Sequence, residues 1–337
     1  MKMIKLLTKE DYRPFKILCI DGGGIKGLYS ATVLEHLEQR FGPCGEYFDM
    51  ICGTSTGGLI ALGLALGKPA TEISTLYADE GRKIFPRSIV PFGRRICQAL
   101  WGGKYSDRPL KKILEAFFQE KKVGDLKNLI CIPSYSVTDA RPWVFKRDHG
   151  LLDRDNGTLL VDVALATSAA PTFFPLCEIP RYDHKQFIDG GVWANNPTLV
   201  GIIEALTYFV GKDKPFNAVE VLSVSSLSNT GGKSVGLSRH RSFIRWGADL
   251  FDTSLNGQSV FTDYFLQKLC EMNDIKFKYV RIPSELVSAE QQHLVKLDCA
   301  RTKAIRFIRG KGNDRGTMAK KDPTIAAFFN NKKLYNI

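Results

Sequence analysis

Three short stretches carry residues whose types and spacing can do chemistry. "GTSTG" at 53–57 sets Ser55 between Gly53 and Gly57, "DGGGIKG" at 21–27 strings three glycines together, and "FIDGG" at 187–191 ends an apolar run on Asp189. A hydroxyl, a carboxylate and bare backbone amides are the parts of an acyl-transfer site: nucleophile, base and donors to a developing oxyanion. Each stretch also has a plain structural use.

For Ser55 the context decides between the two uses. Residues 47–52 read as a strand and 59–66 as an apolar helix. GxSxG between a strand and a helix forms a sharp elbow with serine exposed at its tip, and glycines at both flanks remove side chains that would clash across the turn. The competing use, a helix cap, explains the serine but not the two glycines.

A nucleophilic serine needs a base. Of His36, His149, His184, His240 and His293, only the last two follow Asp189 in the serine, acid, histidine order of α/β-hydrolases. His240 lies between Arg239 and Arg241, and His293 falls in an amphipathic stretch, so both read as solvent-facing. Asp189, ending a strand with Gly190 and Gly191 clearing the space beside it, is the candidate base. A carboxylate with a pKa of ~3.9 suits a serine hydroxyl poorly, so Asp189 must be desolvated or act by stabilising charge. In isolation DGG reads as an Asx turn.

The glycine stretch is the weakest of the three alone. Gly22, Gly24 and Gly27 satisfy GxGxxG between a strand and a helix, which fits a Rossmann-type nucleotide-binding module with Glu46 as its ribose acid. The same glycines can form a tight turn, or present the amides of Gly22, Gly23 and Gly24 to an oxyanion. The Rossmann alternative leaves GTSTG and FIDGG unexplained.

Two strand, glycine-turn, helix units in succession, with strands at 15–20 and 47–52, argue for an α/β fold with a mainly parallel sheet. A helix capped by Asp107, strands at 129–137 and 143–146, a helix at 161–168 stopped before Pro171, and a strand at 185–188 follow. Pro197 opens a helix to 210, and 218–224 alternates as a strand. Beyond it, 243–251 and 261–272 read as two helices, and Ser288 with Gln291 forms a capping box for a helix to about 308. No internal repeat or linker divides the chain.

Taken together and in this order, the three stretches resemble the patatin-like phospholipases, as do "ATSAAPTFFP" at 166–175 and "GGVWANNP" at 190–197. The resemblance covers residues 15–210, the expected catalytic domain, with 211–337 completing the sheet and adding helices. It implies a three-layer sandwich, a Ser55–Asp189 dyad without histidine, an oxyanion hole at Gly22, Gly23 and Gly24, and hydrolysis of phospholipid acyl esters with no cofactor or metal. Lys26, Gly27, Gly53, Gly57, Gly190 and Gly191 support the motifs. Two departures stand out: Lys26 occupies a position where arginine is common, losing the planar fork, and "SSLSNT" follows the strand at 218–224 in place of a GTG-like turn. The chain is also similar to bacterial patatin effectors of anti-phage defence. These are switched on by a cyclic dinucleotide, which implies a cytoplasmic homo-oligomer acting at the inner membrane.

Composition fits such an enzyme. Hydrophobic residues make up 44% and charged residues 24% of 337, enough for a large core. Eight cysteines without CxxC spacing suit a reduced compartment, and no apolar run approaches the ~20 residues of a membrane span, so membrane contact is expected to be peripheral. The net charge of +12 is concentrated in two places: 301–337 holds ten Lys or Arg and two acids, and 82–104 holds six basic residues and no acid. These favour anionic surfaces such as phospholipid or nucleotide phosphate; no nucleic acid polymer is expected. Phe85, Phe92, Arg94, Arg95 and Trp101 suggest a membrane-contacting flap at 84–103, although packed core is an equal reading of its aromatics. Arg239, Arg241, Arg245 and Trp246 could grip phosphate and stack on a base.

Overall fold

Strand β1 (Pro14–Ile20) is apolar on both sides because it runs through the middle of the sheet between two layers of helices. Phe15, Ile17 and Cys19 enter one hydrophobic cluster, Leu18 and Ile20 the other, as the two-residue period of a strand dictates. The computed structural model describes residues 12–86, 104–228, 239–240, 246, 248–271 and 276–335.

After β1 the chain forms α1 (Gly27–Phe41), β2 (Met50–Gly53), α2 (Thr56–Leu66), α3 (Ala70–Ile84) and α4 (Arg108–Phe118). There follow β3 (Leu129–Ser136), β4 (Arg141–Lys146), α5 (Leu160–Ser168), β5 (Cys177–Ile179), β6 (Lys185–Asp189), α6 (Gly191–Ala194) and α7 (Thr198–Tyr208). The remainder is β7 (Ala218–Val224), α8 (Ala248–Cys270), β8 (Phe277–Ile282), α9 (Thr302–Ala319) and α10 (Pro323–Ala326).

Among the described residues eight strands form one sheet of order β5-β6-β3-β2-β1-β7-β8, with β4 paired to β3 off that path. From β3 through β2, β1 and β7 to β8 every pairing is parallel, whereas β4, β6 and β5 join antiparallel. On one face α1, α2, α3, α5 and α9 bury Leu28, Leu59, Ile73, Val163 and Ile308; on the other α7 and α8 bury Ile202, Ala205 and Leu266. The α/β sandwich expected from sequence is the fold observed.

Register places the chemistry. Ile20 lies opposite Gly53 in the parallel β1–β2 pair, so the glycine turn and the serine elbow leave the same edge side by side. Asp189 lies opposite Ser134, bringing β6 to that edge from the antiparallel half.

Two expectations fail past residue 240. The helices expected at 243–251 and 261–272 meet in one helix, α8: Leu255, Ser259, Thr262 and Leu266 form a continuous buried stripe, and its packing overrides the low helix propensity of Asn256 and Gly257. The helix expected from Ser288 to 308 is instead a 3-10 turn (Ala289–Leu294), a non-helical stretch, and then α9. The interruption delivers the Leu297 carbonyl to the Ile25 amide at 2.9 Å, which a continuous helix would prevent. Strands β5 and β8 were not anticipated.

Candidate active site

The elbow is built by β2 and α2. Ser55 adopts φ 54° and ψ −125°, outside the ordinary regions for a side-chain-bearing residue, at a cost of about 1–3 kcal/mol that the surrounding packing must sustain. Gly53 and Gly57 permit it, since a Cβ on Gly53 would lie 2.1 Å from the Gly57 oxygen and one on Gly57 2.3 Å from the Ile20 oxygen. The Ser55 amide donates to Thr167 Oγ1 at 2.9 Å, and that hydroxyl donates to the Pro133 carbonyl at 2.6 Å. Ser55 stands at the N-terminus of α2, whose dipole favours negative charge there.

The Ser55 hydroxyl donates to Asp189 Oδ2 at 2.7 Å. The other carboxylate oxygen accepts the Gly191 amide at 2.7 Å, which fixes the side chain's orientation. Ser55 is 9% and Asp189 2% exposed. Burial pushes the Asp189 carboxyl up to about 7, against the opposing effect of its bonds from Ser55 and Gly191. This is the desolvation that the sequence argument required of a carboxylate serving as base.

The glycine turn lies beside the pair. Gly24 has φ 58°, and a Cβ there would sit 2.2 Å from the Leu297 oxygen. Among the described residues the Gly23 and Gly24 amides have no acceptor, and both residues line the same pocket as Ser55. The three-amide expectation narrows here: the Gly22 amide donates to the Asn195 carbonyl at 3.0 Å and is not free for a ligand. Lys26 is buried and ion-paired with Asp252 at 3.0 Å.

A pocket opens over these groups. Its floor is Gly23, Gly24, Ser55, Thr56, Ser168, Asp189 and Asn195, and its walls are apolar, from Ile25, Leu59, Tyr77, Ile84, Phe85, Leu110, Phe173, Phe174, Phe251, Leu255 and Leu297. A polar floor under a long apolar wall suits an ester carrying a hydrocarbon chain.

No histidine is among the described residues that line this pocket. His149 pairs with Glu204 at 2.8 Å, His184 with Glu178 at 2.6 Å, His36 meets Asn313 at 3.2 Å, and His293 bonds the Glu290 carbonyl at 2.7 Å. Glu46 is exposed, pairs with Lys332 at 2.7 Å and precedes β2, so it lies at the sheet edge opposite the glycine turn. A Rossmann acid follows β2, so this alternative loses its ribose ligand.

Phe85 is half-buried, with its ring 5.6 Å from Tyr105 and 5.8 Å from Phe174, as part of the pocket wall. Phe92, Arg94, Arg95 and Trp101 lie outside the described residues, as do Arg241 and Arg245; Arg239 is exposed and Trp246 half-buried. Sequence reasoning missed Thr167, Asn195 and Phe251, although Thr167 and Asn195 stand within the "ATSAAP" and "ANNP" segments.

The Patatin-like phospholipase family model matches residues 18–202, more than half of the chain, and the chain belongs to this family. It is a lipid ester hydrolase. A cGAMP-activated phospholipase of Pseudomonas aeruginosa is 34% identical over 316 residues, covering 93% of this chain and 91% of the relative. A cGAMP-activated phospholipase of Escherichia coli is 29% identical, covering 95% and 92%. Patatin-like protein 2 of Arabidopsis thaliana is 29% identical, covering 81% and 76%. Among the described residues no helix is long and apolar enough to cross a membrane.

Proposed function

We propose that the protein is a phospholipase of the A type whose Ser55 and Asp189 act as a catalytic dyad on membrane phospholipids. The observation that carries the reading is the 2.7 Å bond from the Ser55 hydroxyl to a carboxylate raised to about 7. Ser55 Oγ attacks the ester carbonyl as Asp189 takes its proton, and the Gly23 and Gly24 amides receive the oxyanion. Collapse of the tetrahedral intermediate expels the lyso-lipid alkoxide, which takes the proton from Asp189. Water, deprotonated by the same carboxylate, then attacks the acyl-serine and releases the fatty acid.

The test is hydrolysis of phospholipid vesicles by wild-type protein and by Ser55→Ala and Asp189→Asn, each checked for folding. Wild-type rates in either folded variant would end the dyad reading.

The same reading extends to regulation. A cyclic dinucleotide is the proposed activator and defence against phage by membrane degradation the proposed role, supported by relatives named cGAMP-activated phospholipases that align over nearly the whole chain. Arg239, Arg241, Arg245 and Trp246 are the candidate contacts, and a cytoplasmic homo-oligomer recruited to the inner membrane is the proposed working form. Vesicle hydrolysis measured with and without cGAMP checks activation; equal rates remove the nucleotide from the proposal and leave the dyad untouched.

A further inference from the structure

The turn that carries Gly23 and Gly24 is fastened at both ends by residues beyond the family-matched segment. At its start, Asp21 is 2% exposed and accepts two bonds from the Arg281 guanidinium, at 2.6 Å from Nη2 and 3.3 Å from Nη1. Arg281, on β8, also donates to Ser223 Oγ at 2.7 Å and lies 3.9 Å from Asp263, which accepts the Tyr279 hydroxyl at 2.9 Å. Burial disfavours the charge on Arg281, but Asp21 beside it holds the guanidinium above its ordinary range. At the end of the turn, buried Lys26 pairs with Asp252 at 3.0 Å. Between the two ends, the Ile25 amide donates to the Leu297 carbonyl at 2.9 Å and the Ser226 hydroxyl to the Gly22 carbonyl at 2.9 Å.

Asp252 and Asp263 both belong to α8, about three turns apart and so on one face. That helix also gives Phe251 and Leu255 to the pocket wall. A run of glycines has no side chains with which to hold itself, yet an oxyanion donor must stand within about 2.7–3.1 Å of where the charge develops. The fastening must come from outside the turn.

We propose that Arg281 and Asp252 are positioning residues for acyl transfer, pinning the two ends of the 21–26 turn so that the Gly23 and Gly24 amides stay aimed at the oxyanion. The inference rests on the reading of those two amides as oxyanion donors. It assigns the C-terminal segment a part in the chemistry without contact to substrate.

The test uses the full chain on phospholipid vesicles with cGAMP present, comparing Asp252→Asn, Arg281→Met and the pair Asp21→Asn/Arg281→Met with Gly24→Ala. The pair removes both buried charges, so a folded protein remains available if Arg281→Met alone, which strands the aspartate, fails to fold. Melting temperatures identify the folded variants. The expected result is a kcat lower by roughly tenfold in Asp252→Asn and by about 10²-fold in the pair, against the ~10²–10³ of a lost oxyanion donor. KM and the midpoint of the pH profile near 7 should stay put, because neither substrate binding nor Asp189 is touched. Arg281→Lys should recover part of the rate. Adding Gly24→Ala to the pair should lower kcat little further, since both act on one turn. Wild-type kcat in folded Asp252→Asn and the folded pair, with Gly24→Ala impaired, would overturn the proposal alone. Full activity in Gly24→Ala would overturn the oxyanion reading and the proposal with it.

Discussion

The serine elbow and the glycine turn leave the same sheet edge next to each other, yet they are held in opposite ways. Ser55 is fixed by Thr167, Asp189 and the close passage of Gly57 past Ile20, all within the family-matched residues 18–202. The glycine turn has one tie within them, from the Gly22 amide to the Asn195 carbonyl, and is otherwise fixed by Ser226, Asp252, Arg281 and Leu297, all beyond them. On the proposed reading, the bond-making group is thus wired locally, whereas the charge-stabilising group depends chiefly on a remote part of the chain. On that reading, a displacement of α8 or β8 would change the rate while leaving Ser55 in place.

The largest effect should come from the local half. Ser55→Ala removes the proposed nucleophile, and hydrolysis should fall by roughly 10⁴-fold or more, with the fold retained, because the side chain is small and its amide bond to Thr167 survives. A fluorophosphonate should label wild-type protein and not this variant.

Next in size is the remote half. Gly24→Ala forces a Cβ to within 2.2 Å of the Leu297 oxygen from a left-handed backbone, so the turn must shift. The loss should be about 10²–10³ in kcat with KM little changed. Fluorophosphonate labelling should slow in step, as phosphonylation develops charge on the same oxygen. A rate equal to wild type would show that these amides do not serve the reaction.

How much of this was legible in the sequence follows the same division. Ser55 and Asp189 could be read because each sits in a short motif whose meaning depends on adjacent residues: a strand before, glycines after. The Gly22 amide was misassigned because its acceptor, Asn195, is a backbone carbonyl far along the chain, and no local pattern advertises a carbonyl. Arg281 stands in "FKYVRI", a strand that the sequence pattern did not reveal, so nothing local marked its guanidinium. Asp252 falls in the polar stretch that separated two expected helices, and only the buried stripe through Leu255 and Ser259 makes it helical.

The pH response sharpens the comparison further, because it belongs to the elbow alone. As the proposed base, Asp189 accepts a proton only when ionised, so kcat should rise about tenfold per pH unit up to a midpoint near 7 and then level off. Stability should move the other way. The folded carboxyl keeps its proton to about 7 while the unfolded one loses it near 3.8, so stability falls as pH rises between those values and is constant above. Asp189→Asn should abolish that slope and raise stability above pH 7 by up to about 4 kcal/mol, measured by denaturant melts at pH 5 and 8. Variants of Arg281 and Asp252 should keep the wild-type midpoint; a displaced midpoint would join the two halves that the geometry separates.

The smallest effect argued from this geometry tests how local the elbow's support is. Thr167→Val keeps the shape but leaves the Ser55 amide without its acceptor and the Pro133 carbonyl without its donor, both buried. Each orphaned group costs about 1–3 kcal/mol, so the melting temperature should fall, and kcat should drop by about tenfold as the elbow loosens. Thr167→Ser restores the hydroxyl and should recover the rate while losing only the packing of one methyl group near Gly58. Recovery of stability without recovery of rate would mean that Thr167 supports the core and not the serine, and the local wiring of the elbow would then reduce to Asp189 and the two glycines.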